Sequence, residues 1–429
     1  MEVWSSRSGF ILAAIGSAVG IGNIWRFSTV VGQNGGGAYL IPYLTAVLLV
    51  GLPLMILEMR AGQQTRSAII AAFEKASIRW AGWIVLLVVI GVISYYLVIT
   101  GWTCGYLAFS LTGTLEPFSD FTGSYLPILF FILAAILCGA IVSSGVTKGI
   151  ERVTTVLVPL IFILLIIMLL FAIRLPGAGA GLSYLFTPDF SVLSDPLIWG
   201  AALGQAFFSL SVGYGTLLTY GAYLGSGEKI PLSAATVTIA DICASLLAGT
   251  VIFSIVFTYG LEPAAGPELV FTTLPYAFEL MPFGAVFAVF FFLLVFFAAT
   301  SSAISFIEVP TAALAGVFGR SRRSMAALVT LLLIIIGMPA AASYSAISLR
   351  IADIPILDAM DEVFGTIGLS ASALLLSIAF AWLFDQKTLW GDLSESSPLI
   401  RAVPVLCRYV IPADLLITLS FRVAALFSM

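Results

Sequence analysis

The chain has 429 residues, of which 61% are apolar and only 9% are charged, and its formal net charge is −4. Soluble domains contain about 45–50% apolar and about 25% charged residues, so this composition excludes a soluble enzyme or a nucleic-acid-binding protein and indicates a polytopic membrane protein. The chain contains no histidine. This excludes imidazole acid–base catalysis and removes the commonest ligand of protein-bound zinc.

Apolar runs long enough to cross a bilayer, about 20 residues each, predict an all-α protein with about eleven membrane-spanning helices. No stretch is left for a soluble domain, so residues 1–429 form a single transmembrane domain. We number the helices span 1 to span 11 and set their limits at charged residues and at Gly/Pro clusters. The predicted limits are 8–31, 38–61, 80–112, 125–142, 150–173, 196–223, 232–260, 283–316, 325–345, 362–384 and 402–425.

Basic residues gather in alternate connections between the spans, and this pattern predicts the orientation of the protein. They are Arg60, Arg66, Lys75 and Arg79; Lys148 and Arg152; Lys229; Arg320, Arg322 and Arg323; and Lys387 and Arg401. The intervening connections are mostly acidic and include Glu116, Asp120, Asp189 and Asp195. The positive-inside rule therefore places the basic connections and the N-terminus in the cytoplasm of a multi-pass protein of the cell (inner) membrane.

Glycine pairs interrupt span 1 and span 6 at mid-membrane depth. Residues 16–23 read GSAVGIGN and residues 209–215 read SLSVGYG, so Val-Gly-x-Gly recurs five spans later. Because five is odd, the second copy is inverted, which predicts an inverted repeat of residues 8–173 and 196–384, followed by span 11 at 402–425. Non-helical backbone at this depth survives where it lines a cavity or is buried in protein. Close helix packing through small residues is the alternative.

Four ionisable side chains lie within the predicted spans, where each is costly unless it is paired. Arg26 either meets a carboxylate on the outer side or extends to the headgroups, and Glu58 either supports broken backbone or lies at the inner interface. Asp241 has no cation nearby in the sequence, so it holds either a bound cation or a proton. Glu308 is interpreted as structural. Residues 300–302 of span 8 read Thr-Ser-Ser, and these hydroxyls either face a hard cation or bond back to the helix.

Several of these runs resemble the neurotransmitter:sodium symporter family, also called sodium:neurotransmitter symporters, and in particular its bacterial and archaeal amino-acid transporters. The resemblance covers nearly the whole chain. It is carried by Trp4, GSAVGIGNIWRF at 16–27, NGGGAY at 34–39, Pro42-Tyr43, Tyr95-Tyr96, QAFFSLS at 205–211, TSS at 300–302 and RYVIP at 408–412. It implies the fold of the bacterial leucine transporter, in which spans 1–5 and 6–10 are inverted repeats and spans 1 and 6 are unwound at mid-membrane.

The resemblance implies two sodium sites, and their ligands are all oxygen atoms, as a hard cation requires. The first site uses the carboxylate of the substrate together with the carbonyl of Ala18 and the side chains of Asn23, Ser209 and Asp241. The second site uses the carbonyls of Gly16, Val19 and Phe297 and the hydroxyls of Thr300 and Ser301. The fixed charge of Asp241 further implies chloride-independent transport, because a cation in a low-dielectric site needs a compensating negative charge.

The resemblance also implies how an amino acid binds. Its carboxylate would lie against the N–H groups of Ile21 and Gly22, at the N-terminal end of a half-helix, and accept from Tyr96. Its side chain would contact Val92, Tyr96, Phe208, Ser211, Tyr214, Ser301 and Ser305. Monoamine-transporting relatives have an aspartate where this chain has Gly20, so a zwitterionic amino acid is expected. The mixture of aromatic, apolar and hydroxyl groups predicts a hydrophobic or aromatic one.

The two gates of the family map unequally onto this chain. The outer gate maps onto Arg26 of span 1 and Asp361 at the outer start of span 10. The inner ion pair is missing, because the usual arginine falls at Met1 and its acidic partner falls on Ala-Gly at 315–316. Tyr223 at the end of span 6 is the remaining candidate for an inner latch.

These features predict a sodium-coupled symporter that imports an amino acid by alternating access and is not an enzyme. Gly149 and Pro159 have the spacing of relatives whose span 5 unwinds on the cytoplasmic side, which predicts a water path from the second sodium site. The expected partners are the amino acid, sodium ions and the bilayer, with no nucleic acid, and the oligomeric state is left open. A sodium-dependent amino-acid sensor or channel on the same scaffold is the alternative. An intramembrane hydrolase is disfavoured, because no second acid accompanies Asp241 at a catalytic spacing.

Overall fold

The computed structural model describes residues 2–225, 227–261, 269–391 and 398–428, and these residues are almost entirely helical. Their only strands are Arg350–Ile351 and Ile354–Pro355, which form a short antiparallel hairpin between spans 9 and 10. Within the same residues, nine helices are long and apolar enough to cross a membrane, and one bent pair adds a tenth. Span 6 is the eleventh, since its two helices of 14 and 7 residues flank a non-helical break.

The helical segments of each span have the following limits. Span 1 comprises Arg7–Ala18, Gly22–Arg26 and Phe27–Gln33; span 2 Gly36–Tyr39, Leu40–Ala46, Val47–Gly51 and Leu52–Thr65; span 3 Arg79–Thr112; span 4 Leu126–Ser143; span 5 Val146–Glu151 and Arg152–Ala172; span 6 Pro196–Ser209 and Thr216–Ala222. Span 7 comprises Ile230–Thr258; span 8 Gly284–Phe318; span 9 Arg322–Ser343; span 10 Ile356–Met360, Asp361–Gly368, Leu369–Ile378 and Ala379–Leu383; span 11 Pro398–Val405, Leu406–Val410 and Ile411–Ser428. Shorter helices between the spans are Ile69–Lys75, Phe118–Thr122, Ala178–Phe186, Phe190–Ser194, Leu269–Thr273, Leu274–Leu280 and Gln386–Trp390.

Span 1 breaks where the sequence places its glycines. The first helix ends at Ala18, Val19 has an extended backbone (φ −76°, ψ 91°), and helical structure resumes at Gly22. The two parts of the span are bent by 50° relative to each other. The last carbonyls of the first part and the first N–H groups of the second part therefore lack partners within a helix and need partners from outside it.

Span 6 breaks opposite span 1, and hydrogen bonds hold its non-helical segment. Ser211, Gly213 and Gly215 have positive φ angles of 52°, 89° and 68°, a region that glycine adopts without steric cost. The Ser211 hydroxyl donates to the Ser17 carbonyl at 2.7 Å, and the Gly213 N–H donates to the Glu58 carboxylate at 2.6 Å. Glu58 is fully buried, so it supports the broken backbone and does not lie at the inner interface.

The ring of spans around this centre presents large apolar side chains to its surroundings. Exposed examples on spans 4, 5 and 9 are Leu129, Leu133, Ile136, Ile163, Ile166, Leu170, Leu331 and Ile335. Spans 1, 3 and 8 are instead largely buried, including the hydroxyl and carboxylate groups that they carry. An apolar exterior around a polar centre is the arrangement of a helix bundle in lipid, where polar groups lie inside.

Span 10 begins earlier than its predicted start at residue 362. Its first helical segment is Ile356–Met360, so Asp358 lies in the first turn of the span and not in the connection before it. Asp361 begins the wider helical segment that follows. Carboxylates are favourable near the N-terminus of a helix, where the free N–H groups lie. Because the predicted spans were limited at charged residues, the prediction began span 10 after Asp358 and Asp361, although both residues lie within it.

Candidate functional site

The two breaks bring a buried carboxylate into contact with amide and hydroxyl groups. Asp241 of span 7 is fully buried, and its Oδ1 accepts from Asn23 Nδ2 at 2.6 Å. Ser209 Oγ donates to the same carboxylate, 2.7 and 2.8 Å from its two oxygens. Among the described residues, no basic side chain forms an ion pair with Asp241. A buried carboxylate needs a compensating positive charge or a proton, so this cluster fits a bound cation.

The structure brings together the protein ligands that the sequence predicts for the first sodium ion. Asn23 lies at the start of the second part of span 1, and Ser209 is the last residue of the first helix of span 6. Ala18 ends the first helix of span 1, so its carbonyl is among those without a helical partner. The carboxylate, the Ser209 hydroxyl and the Ala18 carbonyl are oxygen groups of the kind that a hard cation prefers. Asn23 instead turns its amide nitrogen to the carboxylate, while its oxygen accepts from the Gly20 N–H at 2.9 Å.

The second predicted sodium site lies where span 1 approaches span 8. The Thr300 hydroxyl is buried and has no hydrogen-bond partner, although an unpaired buried hydroxyl is costly. A Cβ on Gly16 would lie 3.3 Å from Cβ of Ser301, so the two spans are in close contact there. Val19 follows the end of the first helix of span 1, and Phe297 lies one turn before Ser301 on span 8. The unpaired Thr300 oxygen fits a cation at this contact.

A small cavity lies between the breaks, next to Ala18, one of the predicted sodium ligands. Its volume is about 10 Å³, close to the room that one water molecule requires. The lining residues are Ser17, Ala18, Gly20, Gly22, Tyr96, Phe208, Ser211, Ser302 and Phe306. The backbone of span 1 forms one wall, and side chains from spans 3, 6 and 8 form the others.

This lining only partly matches the residues predicted to contact the substrate. Those that line the cavity are Gly22, Tyr96, Phe208 and Ser211. Those that do not line it are Ile21, Val92, Tyr214, Ser301 and Ser305. Ser305 accepts from the Tyr220 hydroxyl at 2.7 Å and donates to a backbone carbonyl of its own helix at 3.0 Å. It is engaged below the cavity, while Ile21 lines the space above it.

Ser302 and Phe306 line the cavity, although they were not predicted as contacts of the substrate. They lie four residues apart on span 8, and side chains at this spacing share one face of a helix. The Thr-Ser-Ser run at 300–302 could have indicated this face. Its first two hydroxyls belong to the predicted ligands of the second sodium ion, and the third, on Ser302, lies on an adjacent face of the same helix. Ser302 Oγ donates to the carbonyls of Gly16 at 3.3 Å and Ser17 at 3.1 Å.

The outer gate residues face one another across a vestibule without forming an ion pair. Arg26 donates to the Gly204 carbonyl at 3.0 Å and lies over the Phe208 ring, 4.7 Å from its centroid. Asp361 accepts from the Tyr95 hydroxyl at 2.7 Å. The vestibule between them has a volume of about 400 Å³ and is lined by both gate residues and by Phe208. Phe208 therefore separates the vestibule from the small cavity beneath it.

At the opposite end of the bundle, the predicted cytoplasmic side, lies an ion pair that the sequence did not reveal. Glu308 of span 8 is fully buried and pairs with both terminal nitrogens of Arg322 at the start of span 9, one of them at 2.6 Å. The Tyr223 hydroxyl donates to the same carboxylate at 2.5 Å, so the residue predicted as an inner latch contacts this ion pair. Met1, where the usual arginine would fall, lies outside the described residues. Glu308 thus takes part in the closure of the inner side.

The N-terminal segment covers this inner network. The Trp4 indole donates to the Tyr220 carbonyl at 3.0 Å, and its ring meets the Tyr220 ring edge-on at 5.0 Å. Glu151 of span 5 accepts from the backbone N–H of Ser5 at 2.9 Å and from its hydroxyl at 2.5 Å. Spans 5 and 6 are therefore joined to the first residues of the chain.

An eleven-span bundle with facing breaks, an oxygen-lined centre and a gate at each end is a cation-coupled membrane transporter. A model described as the Sodium:neurotransmitter symporter family matches residues 1–126 and 120–426. The uncharacterized sodium-dependent transporter YhdH of Bacillus subtilis is 34% identical over 436 residues, which cover 96% of each chain. The uncharacterized sodium-dependent transporter MJ1319 of Methanocaldococcus jannaschii is 37% identical over 424 residues, 92% of this chain and 85% of that protein. The chain belongs to the sodium:neurotransmitter symporter family.

A solved structure of the transporter MhsT in complex with L-phenylalanine has the same architecture. It is 36% identical in sequence, superposes with a TM-score of 0.90, and the match covers 97% of this chain and 99% of that chain. The predicted fold class, an all-α bundle of about eleven spans with inverted repeats and unwound spans 1 and 6, is confirmed. The prediction of a transmembrane sodium symporter of the amino-acid transport type is confirmed as well.

Proposed function

We propose that this protein imports an amino acid by sodium-coupled symport with alternating access. The observation that carries the proposal is the fully buried Asp241 carboxylate at the junction of both breaks, without a basic partner among the described residues. Sodium would supply the missing positive charge there. The L-phenylalanine in the related MhsT structure supports an amino acid as the co-transported molecule.

Two sodium ions are proposed as cargo, each held where the bundle must stay closed during binding. The first would be bound by Ala18, Asn23, Ser209, Asp241 and the substrate carboxylate. Because sodium and substrate share a ligand there, each raises the affinity for the other, as linkage requires. The second would be bound by Gly16, Val19, Phe297, Thr300 and Ser301. It would hold span 1 against span 8 until the inner side opens.

The gates divide the transport cycle into an outer and an inner step. Substrate and sodium would enter through the vestibule, displace or pass Phe208, and allow Arg26 to move toward Asp361. Release would require separation of the Glu308–Arg322 pair and withdrawal of the N-terminal segment. We assign the inner side to the cytoplasm of the inner membrane from the distribution of basic residues, and we assign the inverted repeats to residues 8–173 and 196–384.

We further propose that transport is independent of chloride. In the family, chloride-dependent members resemble one another in having a neutral residue where this chain has Asp241, with an anion held by a tyrosine, a glutamine and hydroxyls. The matching shell here is Tyr43, Gln205, Ser209 and Ser245. Tyr43 donates to Asp241 at 3.5 Å and to Ser245 at 3.4 Å. The carboxylate occupies the place where a mobile anion would balance the sodium charge.

Because Asp241 can take up a proton when sodium leaves, we propose that the empty carrier returns with that proton. The exchange would appear as pH-dependent antiport. This antiport requires that a proton binds Asp241 after sodium has left, because a buried carboxylate must be neutralised by one or the other.

The test is uptake of radiolabelled amino acids into vesicles that contain the purified protein. We expect concentrative uptake that is lost when choline replaces sodium and is unchanged when gluconate replaces chloride. The Asp241→Asn variant should become chloride-stimulated, since the polar shell around it stays in place. Wild-type uptake that collapses without chloride would contradict the role of Asp241. Sodium-dependent binding without concentrative uptake would favour the sensor or channel alternative.

A further inference from the structure

The substrate cavity is small because an aromatic ring fills its inner end. Phe306 is only 4% exposed and lies on the face of span 8 that looks toward span 1. Its ring stacks on Tyr214 with centroids 4.6 Å apart and an interplanar angle of 24°. It meets the ring of Tyr96 edge-on at 5.5 Å and 79°. Stacked and edge-on pairs are the favourable aromatic geometries, so two neighbours hold Phe306 in this position.

The remaining walls of the cavity are equally close to its centre. A carbon atom added to Gly20 would lie 2.5 Å from the hydroxyl oxygen of Ser302 and 3.2 Å from that of Tyr96. A carbon added to Gly22 would lie 2.6 Å from the Phe208 ring. The span 1 wall therefore leaves no room for one more methyl group while the Phe208 lid is in place.

Hydrogen bonds fix the backbone wall, so the cavity enlarges only when side chains that line it move, Phe208 and Phe306 among them. The Ser17 carbonyl accepts from Ser211 at 2.7 Å and from Ser302 at 3.1 Å, which ties spans 1, 6 and 8 together around the cavity. The Ser17 hydroxyl itself is buried without a partner. A buried hydroxyl left unpaired is unfavourable, and a small polar ligand or a water molecule would satisfy it.

We propose that Phe306 sets an upper size limit on the transported amino acid, so that the substrate is a small neutral amino acid of the glycine, alanine or serine class. This inference rests on the proposed function, since it takes the cavity as the amino-acid site. Residue types alone predicted a hydrophobic or aromatic substrate, whereas the Phe306 ring fills the inner end of the cavity, where the side chain of a large amino acid would have to lie. The solved MhsT complex contains L-phenylalanine, so a preference for small amino acids would distinguish this protein from that relative.

The test is a binding competition on purified full-length protein in sodium buffer, with glycine, alanine, serine, leucine and phenylalanine as the ligands. One methylene in an apolar pocket changes affinity by about 10–200-fold. We therefore expect leucine and phenylalanine to bind wild-type protein at least about tenfold more weakly than alanine. Phe306→Ala should improve leucine binding at least about tenfold relative to alanine, and Phe306→Leu should give a smaller change in the same direction.

Phe290→Ala is the matched control, because it removes the same ring from span 8 at a half-buried position outside the cavity. It should leave the order of the five affinities unchanged. Phe306→Leu keeps an apolar side chain of similar size and tests the proposal if Phe306→Ala fails to fold.

Three outcomes are distinguishable. Wild-type protein that binds leucine or phenylalanine as tightly as alanine would overturn the size limit and leave sodium-coupled symport standing. An order of affinities that Phe306→Leu and Phe306→Ala do not change would overturn the role of Phe306. Absence of a sodium-dependent signal for every amino acid, in wild-type protein and in the variants, would contradict the proposed function itself.

Discussion

The outer and inner gates contain similar charged groups in opposite arrangements. On the outer side Arg26 and Asp361 bind separate partners across a vestibule of about 400 Å³. On the inner side Glu308 and Arg322 pair directly, and Tyr223 adds a hydrogen bond to the same carboxylate. Separating a buried ion pair costs far more free energy than moving a charged side chain from one solvated partner to another. The structure is therefore open at the end that carries Arg26 and Asp361 and closed at the end that carries Glu308 and Arg322, and on the proposed orientation this is an outward-facing state.

The largest effect is expected from Glu308→Gln, which removes the charge from the inner pair. Loss of one partner of a buried ion pair costs about 3–5 kcal/mol, because the other charge stays behind without compensation. We expect the inner side to open more often, so that a cysteine introduced by Ser305→Cys reacts at least about tenfold faster with a cytoplasmic thiol reagent. The measurement uses a background in which the native cysteines are replaced, namely Cys104, Cys138, Cys243 and Cys407.

Glu74→Gln is the matched control for this experiment. Glu74 and Arg79 form an ion pair with their closest atoms 3.5 Å apart, and both side chains are about half exposed. Exposed pairs contribute little to stability, so the labelling rate at residue 305 should stay the same. Equal rates in wild-type protein and Glu308→Gln would show that the Glu308–Arg322 pair does not hold the inner gate.

A smaller effect is expected from Pro159→Ala in span 5. Pro159 lies inside the helix Arg152–Ala172, and the Glu151 carboxylate just before this helix binds the N-terminal segment. Alanine restores a helical hydrogen bond that proline lacks, so the helix should unwind less readily when the inner side opens. We expect sodium release and turnover to slow several-fold while sodium-dependent binding from the outside is retained. Unchanged turnover in reconstituted vesicles would exclude unwinding of span 5 as the route to the cytoplasm.

At the outer gate, Asp361→Asn should have a milder effect than the change at Glu308. Asp361 accepts a hydrogen bond from Tyr95 in the open vestibule, and an asparagine oxygen can also accept that bond. The attraction for Arg26 on closure would be lost, so bound substrate should escape to the outside faster, with little change in thermal stability. Tyr95→Phe is the companion variant, since it frees the carboxylate without removing its charge. Slower escape in Asp361→Asn would contradict a closing role for this residue.

The smallest effect is expected away from both gates, at Asp385. This carboxylate caps the short helix Gln386–Trp390 and accepts from the N–H groups of Lys387 at 3.2 Å and Thr388 at 3.1 Å. Hydrogen bonds from Thr388 lower the pKa of Asp385 below its usual value. A lowered pKa means that the stabilisation is present above the unfolded-state pKa and is lost as the pH falls through the folded-state pKa.

Asp385→Asn should therefore lower the melting temperature slightly at neutral pH. The difference from wild-type protein should disappear in acid, where the carboxylate of the wild type is protonated. Thermal unfolding in detergent, followed at several pH values, measures this difference. A gap between the two proteins that persists in acid would show that the cap does not depend on the charge of Asp385.

The local features of the two breaks could be predicted from the sequence alone. Glycines at fixed positions permit positive φ angles whatever surrounds them, as Gly213 and Gly215 show. An apolar run of sufficient length must form a helix in a membrane, because only internal hydrogen bonds satisfy its backbone there. Asp241 could be predicted as a candidate functional residue for the related reason that an intramembrane carboxylate needs a partner.

Features that depend on distances between spans were decided only by the tertiary structure. Arg322 follows Glu308 by 14 residues across a helix end, and nothing in that spacing indicates that their side chains meet in a bidentate pair. Phe306 reads as one more apolar residue of span 8, although packing against Tyr96 and Tyr214 places its ring in the small cavity between the breaks. Sequence specifies helices and breaks through local backbone energetics, whereas the size of a cavity and the partner of a charge depend on how the helices pack together.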